Sequence, residues 1–330
     1  MHTHGLSGSA RTNHVLYLLL FAAVMAALPW VFRNEYYITV LIFLGINVIL
    51  VVGLNALMGY AGQISLGHAA FFACGAYISG IANTRLGLSP WITFPVGMLL
   101  TGCLAFLIGK PILRLKGNYL AMATLGFGLI VEHLLVEWGE WTGGPSGLIH
   151  VERLSIGSIQ LYAPGVRYYY LVWFFVLCVI IVVSNLVDSR VGRALRALHG
   201  SELAARALGV DTARYKLQVF VLSALLAALG GGLYVHYLGF IAPASCGLNY
   251  SIGLVTMVVV GGMANLWGSV LGAAFLTLLP QFLTVLRDYD IVVYGLILVM
   301  TVLFLPHGIA QGVVVMVRAV KRRAAAGGEG

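Results

Sequence analysis

Glycine and polar residues interrupt an apolar stretch of the chain at GYAGQISLGHAAFF, residues 59–72. The run from Tyr36 to Thr84 contains no Asp, Glu, Lys or Arg. A helix broken inside such a run frees backbone N–H and C=O groups, which in a membrane must face protein or a water-filled cavity. Two interpretations stay open: the segment lines a path for a polar solute, or its small residues only let helices pack closely. The residues concerned are Gly59, Gly62, Gln63, Ser65, Gly67, His68 and, in a second glycine-rich break, Asn265.

A second group of residues with chemical potential lies in one apolar helical segment. Glu132 and His133 are adjacent, and Glu137 follows His133 at the i, i+4 spacing of one helix face. Ionisable groups inside a membrane suggest function, here a metal site or a proton relay. The alternative for Glu137 is placement at the membrane interface beside Trp138 and Trp141. No second pair of ligands occurs nearby in the sequence.

The sequence carries no pattern for catalysis. The four cysteines lie in separate apolar stretches without close spacing or histidine partners, which predicts neither a metal centre nor a disulfide framework. Gly109 and Lys110 are followed by Pro111, so a phosphate-binding loop is missing as well. We therefore expect no enzyme activity, no catalytic residue, no metal and no cofactor.

The elements that must position these residues are membrane helices. Of the 330 residues, 60% are hydrophobic and 9% are charged, and the mean hydropathy is +0.96. Soluble domains carry roughly a quarter charged residues, and a helical span needs about 20 apolar ones. The pattern predicts an all-α polytopic membrane protein with about ten transmembrane helices (eight to ten). The spans are expected near residues 15–32, 36–59, 69–84, 91–109, 119–139, 168–187, 217–240, 251–264, 267–286 and 291–310. Residues 69–84 and 251–264 are short enough to be broken or re-entrant.

Basic residues assign the sides of the membrane. The formal net charge is +8, and most Lys and Arg residues cluster in loops around 110–116 and 190–216 and in the tail. The positive-inside rule accounts for this distribution, so nucleic acid is not expected as a partner. We predict a bacterial cytoplasmic (inner) membrane protein with both termini in the cytoplasm. Its parts are a tail at 1–14, a membrane domain at 15–317 with an extracytoplasmic loop at 140–167, and a basic tail at 318–330.

The cytoplasmic loop at 188–216 differs from the rest of the chain. It contains a helical pattern from Val191 to Leu208 with a break near Gly200, a helix start favoured at Ser201 and a stop at Gly209. One interpretation is an amphipathic helix resting on lipid headgroups. The other is a docking element for a soluble partner, because the loop is long and mixes acids with bases.

Two segments of the chain resemble each other faintly. LGHAAF at 66–71 and LGAAF at 271–275 each follow a glycine-rich break. Transporters commonly contain repeats with broken helices at matching positions. The sequence therefore suggests an internal repeat.

Several ordered motifs together resemble a known family. GYAGQISLGHAAFFACGAY is followed by LKGNYLAMATLGFG, TGGPSG, SRVGRALRALHGSELAARALGV and GGMANLWGSVLGA. From about Asn47 to Phe282 the chain is similar to permease subunits of branched-chain amino acid ABC importers, of the LivM type. ELAARALG at 202–209 looks like a degenerate form of the ATPase-contacting loop of such importers, with Leu203 separating the acid from Ala204 and Ala205.

The resemblance implies partners. Two permeases, one LivH-like and one LivM-like, would pair in the membrane, although a homodimer stays an alternative. Two cytoplasmic ATPases would dock on the cytoplasmic loops, and an extracytoplasmic binding protein would deliver the amino acid. The docking residues implied are Arg190, Gly192, Arg193, Arg196, Glu202, Ala204, Ala205 and Gly209.

The resemblance leaves the cargo open, since related permeases serve branched-chain amino acids, other amino acids or small amides such as urea. A competing hypothesis is a stand-alone secondary transporter, which would need a coupling-ion site. Glu132 with His133 is the one candidate for that site in the sequence.

Overall fold

The computed structural model describes residues 7–32, 34–156, 159–161 and 165–283, with a few isolated positions beyond. Long helices make up nearly all of this part of the chain. The predicted span at 291–310, apart from isolated positions, and the predicted tail at 318–330 lie outside the described residues. The first helix, α1 (Ser7–Val31), begins inside the segment predicted to be an N-terminal tail.

The first half of the chain folds into helices separated by short turns. Asn34 caps α2 (Glu35–Asn55) by accepting a hydrogen bond from the Tyr36 N–H, and a π-helical turn (Ala56–Tyr60) extends α2 to the polar break. The next three helices are α3 (His68–Leu86), α4 (Pro90–Ile112) and α5 (Asn118–Glu137). The α3 boundaries lie within two residues of the predicted span, because the break before it and the left-handed Gly87 after it are local signals.

The loop after α5 is folded rather than extended. It contains α6 (Gly139–Thr142), a 3₁₀ turn (Gly144–Ser146) and a two-stranded hairpin of β1 (Ser155–Ile156) and β2 (Ile159–Gln160). The strands pair antiparallel, with Ser155 opposite Gln160. We call the end of the molecule that carries this loop the hairpin end.

The second half begins with α7 (Val166–Asp188) and two short helices, α8 (Arg190–Gly200) and α9 (Glu202–Ala207). The chain then re-enters the helical bundle as α10 (Thr212–Leu238). A 3₁₀ turn (Pro243–Cys246) precedes α11 (Leu248–Gly261), and α12 (Leu266–Leu283) follows. The end that carries α8 and α9 is opposite the hairpin end.

Two helices form the centre of the bundle. In both α2 and α10, 78% of the most apolar window is buried, against 17% in α5. α10 packs against α2, α3 and α4, while α2 also contacts α7, α11 and α12. The exposed apolar side chains of the outer helices, such as Leu99, Leu107 and Phe174, are suited to lipid.

The helical fold is confirmed, but the number of about ten spans is not. Within the described residues, six segments are long and apolar enough to cross a membrane, and two shorter apolar helices lie in α1 and α12. α3 falls outside the six although it runs from one end of the bundle to the other. Gly75, Ser79 and Asn83 of α3 are small or polar, and all three are buried. α3 therefore faces protein on most sides.

Glycines let the central helices approach closely. A Cβ on Gly231 of α10 would lie 2.1 Å from the Phe72 carbonyl oxygen of α3, and one on Gly75 of α3 would lie 2.4 Å from Ala228 Cα. Gly268 and Gly272 of α12 likewise pack against Gly261 and Met257 of α11. Both sets of glycines therefore let neighbouring helices pack closely.

Candidate functional site

The break after α2 is buried at the end that carries α8 and α9. Gly62 adopts φ +65°, and a Cβ there would lie 2.9 Å from His199 Nδ1 of α8. A Cβ on Gly67 would lie 2.1 Å from the Thr124 carbonyl oxygen of α5. The Leu66 N–H also donates to Thr124 Oγ1 at 3.1 Å. The break therefore connects α8 to α5.

Three polar side chains of the break have incomplete hydrogen bonding. Gln63, Ser65 and His68 are 7%, 1% and 1% exposed. Gln63 Nε2 donates to the Ala61 carbonyl, and His68 Nδ1 lies 3.4 Å from Ser223 Oγ of α10. Gln63 Oε1, Ser65 Oγ and His68 Nε2 have no partner among the described residues. Such groups are few in folded proteins and each asks for an explanation.

The second break lies beside the first and is held by Asn55, a residue that the sequence did not single out. Asn55 Nδ2 donates to the Asn265 carbonyl oxygen at 2.9 Å and to Ser269 Oγ at 2.7 Å. Its Oδ1 accepts from the Ala264 N–H at 3.0 Å. Asn265 caps α12, because its Oδ1 accepts from the Gly268 N–H at 3.1 Å. These contacts give Asn55 and Asn265 structural roles: Asn55 holds the second break, and Asn265 caps α12.

The two similar segments, LGHAAF at 66–71 and LGAAF at 271–275, lie at different positions relative to the starts of their helices. Leu66 lies two residues before α3 begins, whereas Leu271 lies five residues inside α12. Both breaks precede a helix at the same end of the bundle. The internal repeat stays a prediction.

The predicted docking helix is two helices, as the break near Gly200 indicated. Ser189 Oγ caps α8 by accepting from the Val191 N–H, and Ser201 Oγ caps α9 by accepting from the Ala204 N–H. Gly209 follows α9 at φ +80°, the left-handed conformation predicted for a helix stop. The start at Ser201 and the stop at Gly209 are confirmed.

The two short helices use their leucines in opposite ways. In α8, Leu195 and Leu198 are buried against the bundle at 1% and 4% exposure. Leu203 in α9 and Leu208 directly after it are 81% and 83% exposed. The apolar face of α8 is therefore occupied by the protein's own core, while α9 presents its leucines outward.

The eight predicted docking residues divide by exposure. Gly192 and Ala205 are buried, and a Cβ on Gly192 would lie 2.0 Å from the Val187 carbonyl oxygen. Glu202 is turned towards α10. The exposed members are Arg190, Arg193, Arg196, Ala204 and Gly209. Arg190 and Arg193, with Arg214, line a groove of about 490 Å³ between α8 and the turn that leads into α10.

Glu202 is the centre of the ion pairs. Its Oε2 accepts from Lys216 Nζ at 2.8 Å, and its Oε1 accepts from Arg206 Nη2 at 2.6 Å. Partial burial raises the pKa of the carboxyl, but the hydrogen bond and charge of Lys216, with Arg206 and Lys116, outweigh it and bring the pKa below its usual value. The charged form is therefore the one that the fold favours.

Glu132 does not meet a metal-binding neighbour. Its Oε2 accepts from the Leu248 N–H at 3.3 Å, at the start of α11, and Gly247 leaves space for the carboxylate. A carboxylate at a helix N-terminus satisfies a free N–H and the helix dipole. His133 and Glu137 are exposed. In the described part of the chain, no three His, Cys, Asp or Glu residues are grouped as metal ligands would be.

The loop at the hairpin end is fixed by buried polar groups. His236 of α10 lies 2.8 Å from Ser79 Oγ through Nε2 and 2.7 Å from the Glu152 carbonyl oxygen through Nδ1. Asn83 Oδ1 accepts from the Glu152 N–H at 2.7 Å. Leu148 pairs with Ile241 through two backbone hydrogen bonds. The described residues of this predicted extracytoplasmic loop therefore pack as part of the fold.

The described residues form a bundle of helices, six of them long and apolar enough to cross a membrane, which defines the class of multi-pass membrane proteins. Residues 36–302 match the family model described as "Branched-chain amino acid transport system / permease component". The chain belongs to this family of ABC-importer permeases, as the sequence motifs predicted, and is a multi-pass inner-membrane transport protein.

Known relatives agree with this assignment. The chain is 31% identical to the high-affinity branched-chain amino acid transport system permease protein LivM of Escherichia coli and of Salmonella typhimurium, over 88% of this chain and 74% of each relative. It is 23% identical to the probable permease LivH of Methanocaldococcus jannaschii, over 82% and 90%. It is 32% identical to the autoinducer 2 import permease LsrC of Salmonella paratyphi B, over 50% and 48%. No solved structure matches the chain significantly.

Proposed function

We propose that this chain is one permease subunit of an ATP-driven importer of branched-chain or related amino acids. An extracytoplasmic binding protein delivers the amino acid at the hairpin end. ATPase subunits dock on residues 188–216 in the cytoplasm, with both chain termini on that side. The family match supports the transport class, and the relatives named LivM support the substrate class. The relative LsrC is named for the import of autoinducer 2, a different cargo, so the substrate of this chain should be measured first.

The observation that carries the docking proposal is the pair of exposed leucines, Leu203 and Leu208, held on a folded loop. A helix that rests on lipid would turn its apolar face to the membrane. Here the apolar face of α8 is buried in the bundle, and the leucines of α9 project away from Ala205, which is 2% exposed. Exposed apolar side chains rimmed by charges are typical of protein interfaces. The exposed arginines of α8, at 190, 193 and 196, supply charge on the same folded loop.

Substitution of the two leucines tests this proposal. We expect Leu203→Ala with Leu208→Ala to lower recovery of the ATPase with the purified permease by about tenfold, since well-buried interface side chains contribute upwards of about 1 kcal/mol each. The measurement is co-purification from membranes that express both subunits. Leu86→Ala with Leu88→Ala is the matched control, because these leucines are also exposed but lie at the hairpin end. Equal recovery for both pairs would contradict ATPase docking at α9.

The second permease subunit is proposed to pack against α5. This helix is the least buried of the six candidate spans, and a Cβ on Gly126 would meet no atom within 4 Å. His133, a polar residue, is exposed on it. A partner protein rather than lipid suits an exposed intramembrane histidine.

The path for the amino acid is proposed along the inner side of α5, beside the polar break. The unpartnered atoms of Gln63, Ser65 and His68 support this placement, because a zwitterion or its accompanying water needs polar groups. Gly59, Gly62, Gly67 and Asn265 then act by shaping the break. The rival role, helix packing alone, accounts well for Gly67 and Asn265 but gives no partner to the three polar atoms.

The alternative function, a stand-alone secondary transporter of amino acids or small amides such as urea, lacks support from Glu132. A coupling-ion site requires a group free to bind and release a proton or ion. Glu132 instead caps α11 through the Leu248 N–H. The importer proposal gives the α8–α9 loop a role that a stand-alone carrier does not need.

A further inference from the structure

Lys216 is a buried cation whose position depends on the docking loop. It lies in the second turn of α10 and is 4% exposed. Its ammonium group donates to Glu202 Oε2 at 2.8 Å, from the first residue of α9. Both ion pairs found among the described residues use Glu202. Glu202 is partly exposed and Lys216 is not, so loss of the carboxylate would leave the Lys216 ammonium group with little solvent and without this counter-charge, which is unfavourable.

A second link joins the other end of α9 to α10. Arg206 donates through Nη2 to Glu202 and through Nε to Thr212 Oγ1 at 2.8 Å. Thr212 is the first residue of α10 and is 2% exposed. A helix of six residues does not hold its shape alone in water. The side chains of Glu202 and Arg206 therefore fix the orientation of α9, with its exposed leucines, relative to α10.

Displacement of α10 would change its contacts with several other helices of the bundle. The helix contacts α2, α3 and α4, and Ser223 lies beside His68 at the end of the polar break. Closely packed interiors shift between discrete arrangements rather than deform smoothly. A rigid connection between α9 and α10 is thus a direct mechanical route from the docking surface to the proposed path.

We propose that Glu202 and Lys216 are positioning residues that transmit movement of the docked ATPase through α9 to α10. Glu202 thereby acts inside the permease, whereas the resemblance had assigned it to the ATPase contact. This inference rests on the proposed function. The simpler alternative is an ion pair that only stabilises the loop.

A cycle of neutral substitutions separates these roles. Glu202→Gln and Lys216→Met are introduced singly and together into the complete complex of permeases, ATPases and binding protein in lipid vesicles. The readouts are amino acid uptake, ATP hydrolysis and ATPase retention. Glu35→Gln is the matched control, because Glu35 is an exposed carboxylate at the start of α2.

Each single variant is expected to lower the uptake per ATP hydrolysed by about tenfold while the ATPase stays bound. The double variant should be no worse than either single variant, since residues that act as a pair are not additive. The charge-reversed pair, Glu202→Lys with Lys216→Glu, should recover only part of the ratio, because Arg206, the second partner of Glu202, would then face a cation.

Two results would overturn the inference. The first is an unchanged ratio in the single variants. The second is loss of the ATPase from the variants with no change in the ratio of the complex that remains, which would make the pair a structural support of the loop. If the unaltered chain itself retains no ATPase, the proposed function fails first, and this inference fails with it. Recovery by the charge-reversed pair keeps the test decisive if a single variant assembles poorly.

Discussion

At the scale of single residues, hydrogen bonds decide between roles that the sequence left open. Glu132 reads in sequence as an intramembrane acid beside a histidine, which suggests proton or metal chemistry. In the structure it lies five residues from the end of α5 and caps α11. His236, a lone polar residue in the apolar helix α10, likewise bonds two segments of the fold.

The Glu132→Gln variant tests the capping role. Gln keeps an oxygen to accept the Leu248 N–H but loses the charge that favours a helix N-terminus, so we expect a loss of about 0.3–1 kcal/mol in stability. Uptake should be largely retained. The measurements are thermal unfolding in detergent and uptake in vesicles with and without a proton gradient.

Glu132→Ala is the comparison for that variant, because it removes the acceptor as well and should be less stable than Glu132→Gln. Complete loss of uptake in Glu132→Gln at normal assembly, with an altered dependence on the proton gradient, would favour the secondary-transporter hypothesis.

At the scale of elements, local signals were sufficient where one residue type fixes one backbone feature. Ser201 and Gly209 mark the ends of α9 in the sequence, and both were confirmed. The leucine pattern was not sufficient. Leu195 and Leu198 lie one turn apart and are buried, whereas Leu203 and Leu208 follow at five-residue steps, which do not continue that face, and both are exposed. The Glu202–Lys216 pair could not be predicted either, because it depends on the turn that folds α9 back on α10.

Close packing of α3 against α10 gives a prediction at this scale. Gly231→Ala should destabilise the protein by about 1–3 kcal/mol, as overpacking of a filled core does. The added methyl would lie 2.1 Å from the Phe72 carbonyl oxygen, and a backbone atom cannot move aside easily. The measurement is the midpoint of thermal unfolding in detergent.

Gly253→Ala is the matched control. Gly253 is also a helical glycine, in α11, but a Cβ there would meet nothing within 4 Å. Its replacement should be neutral or slightly stabilising, since Ala favours a helix over Gly by roughly 0.8–1 kcal/mol. Equal loss of stability in both variants would show that the α3–α10 contact is not tight.

At the scale of the whole molecule, burial distinguishes helices that serve the fold from those left for other molecules. Composition predicted the all-helical membrane class and most span boundaries. Mean hydropathy alone leaves α3 out of the six candidate spans, because its buried face carries small and polar residues. Composition also says nothing about which helices are central. The contrast between α10 and α5 emerged only from packing.

The open face of α5 predicts contact with the second permease. A photoactivatable side chain at Met122, which is 68% exposed, should cross-link to that subunit in membranes. The same probe at Leu107 of α4, which is 67% exposed, is the control and should label lipid. The measurement is the mass of the cross-linked products on a denaturing gel. Protein cross-links at Leu107 alone would move the interface to α4.

The contacts of Asn55 also have a consequence for biogenesis. Its three partners, Ala264, Asn265 and Ser269, follow it by more than 200 residues. At roughly 5–20 residues per second, translation supplies them about 10–40 s after Asn55 has been made. During that interval α2 holds a buried amide without its native partners. The first half of the bundle therefore reaches its final packing only when α12 arrives, which makes insertion of the second half the step that completes the fold.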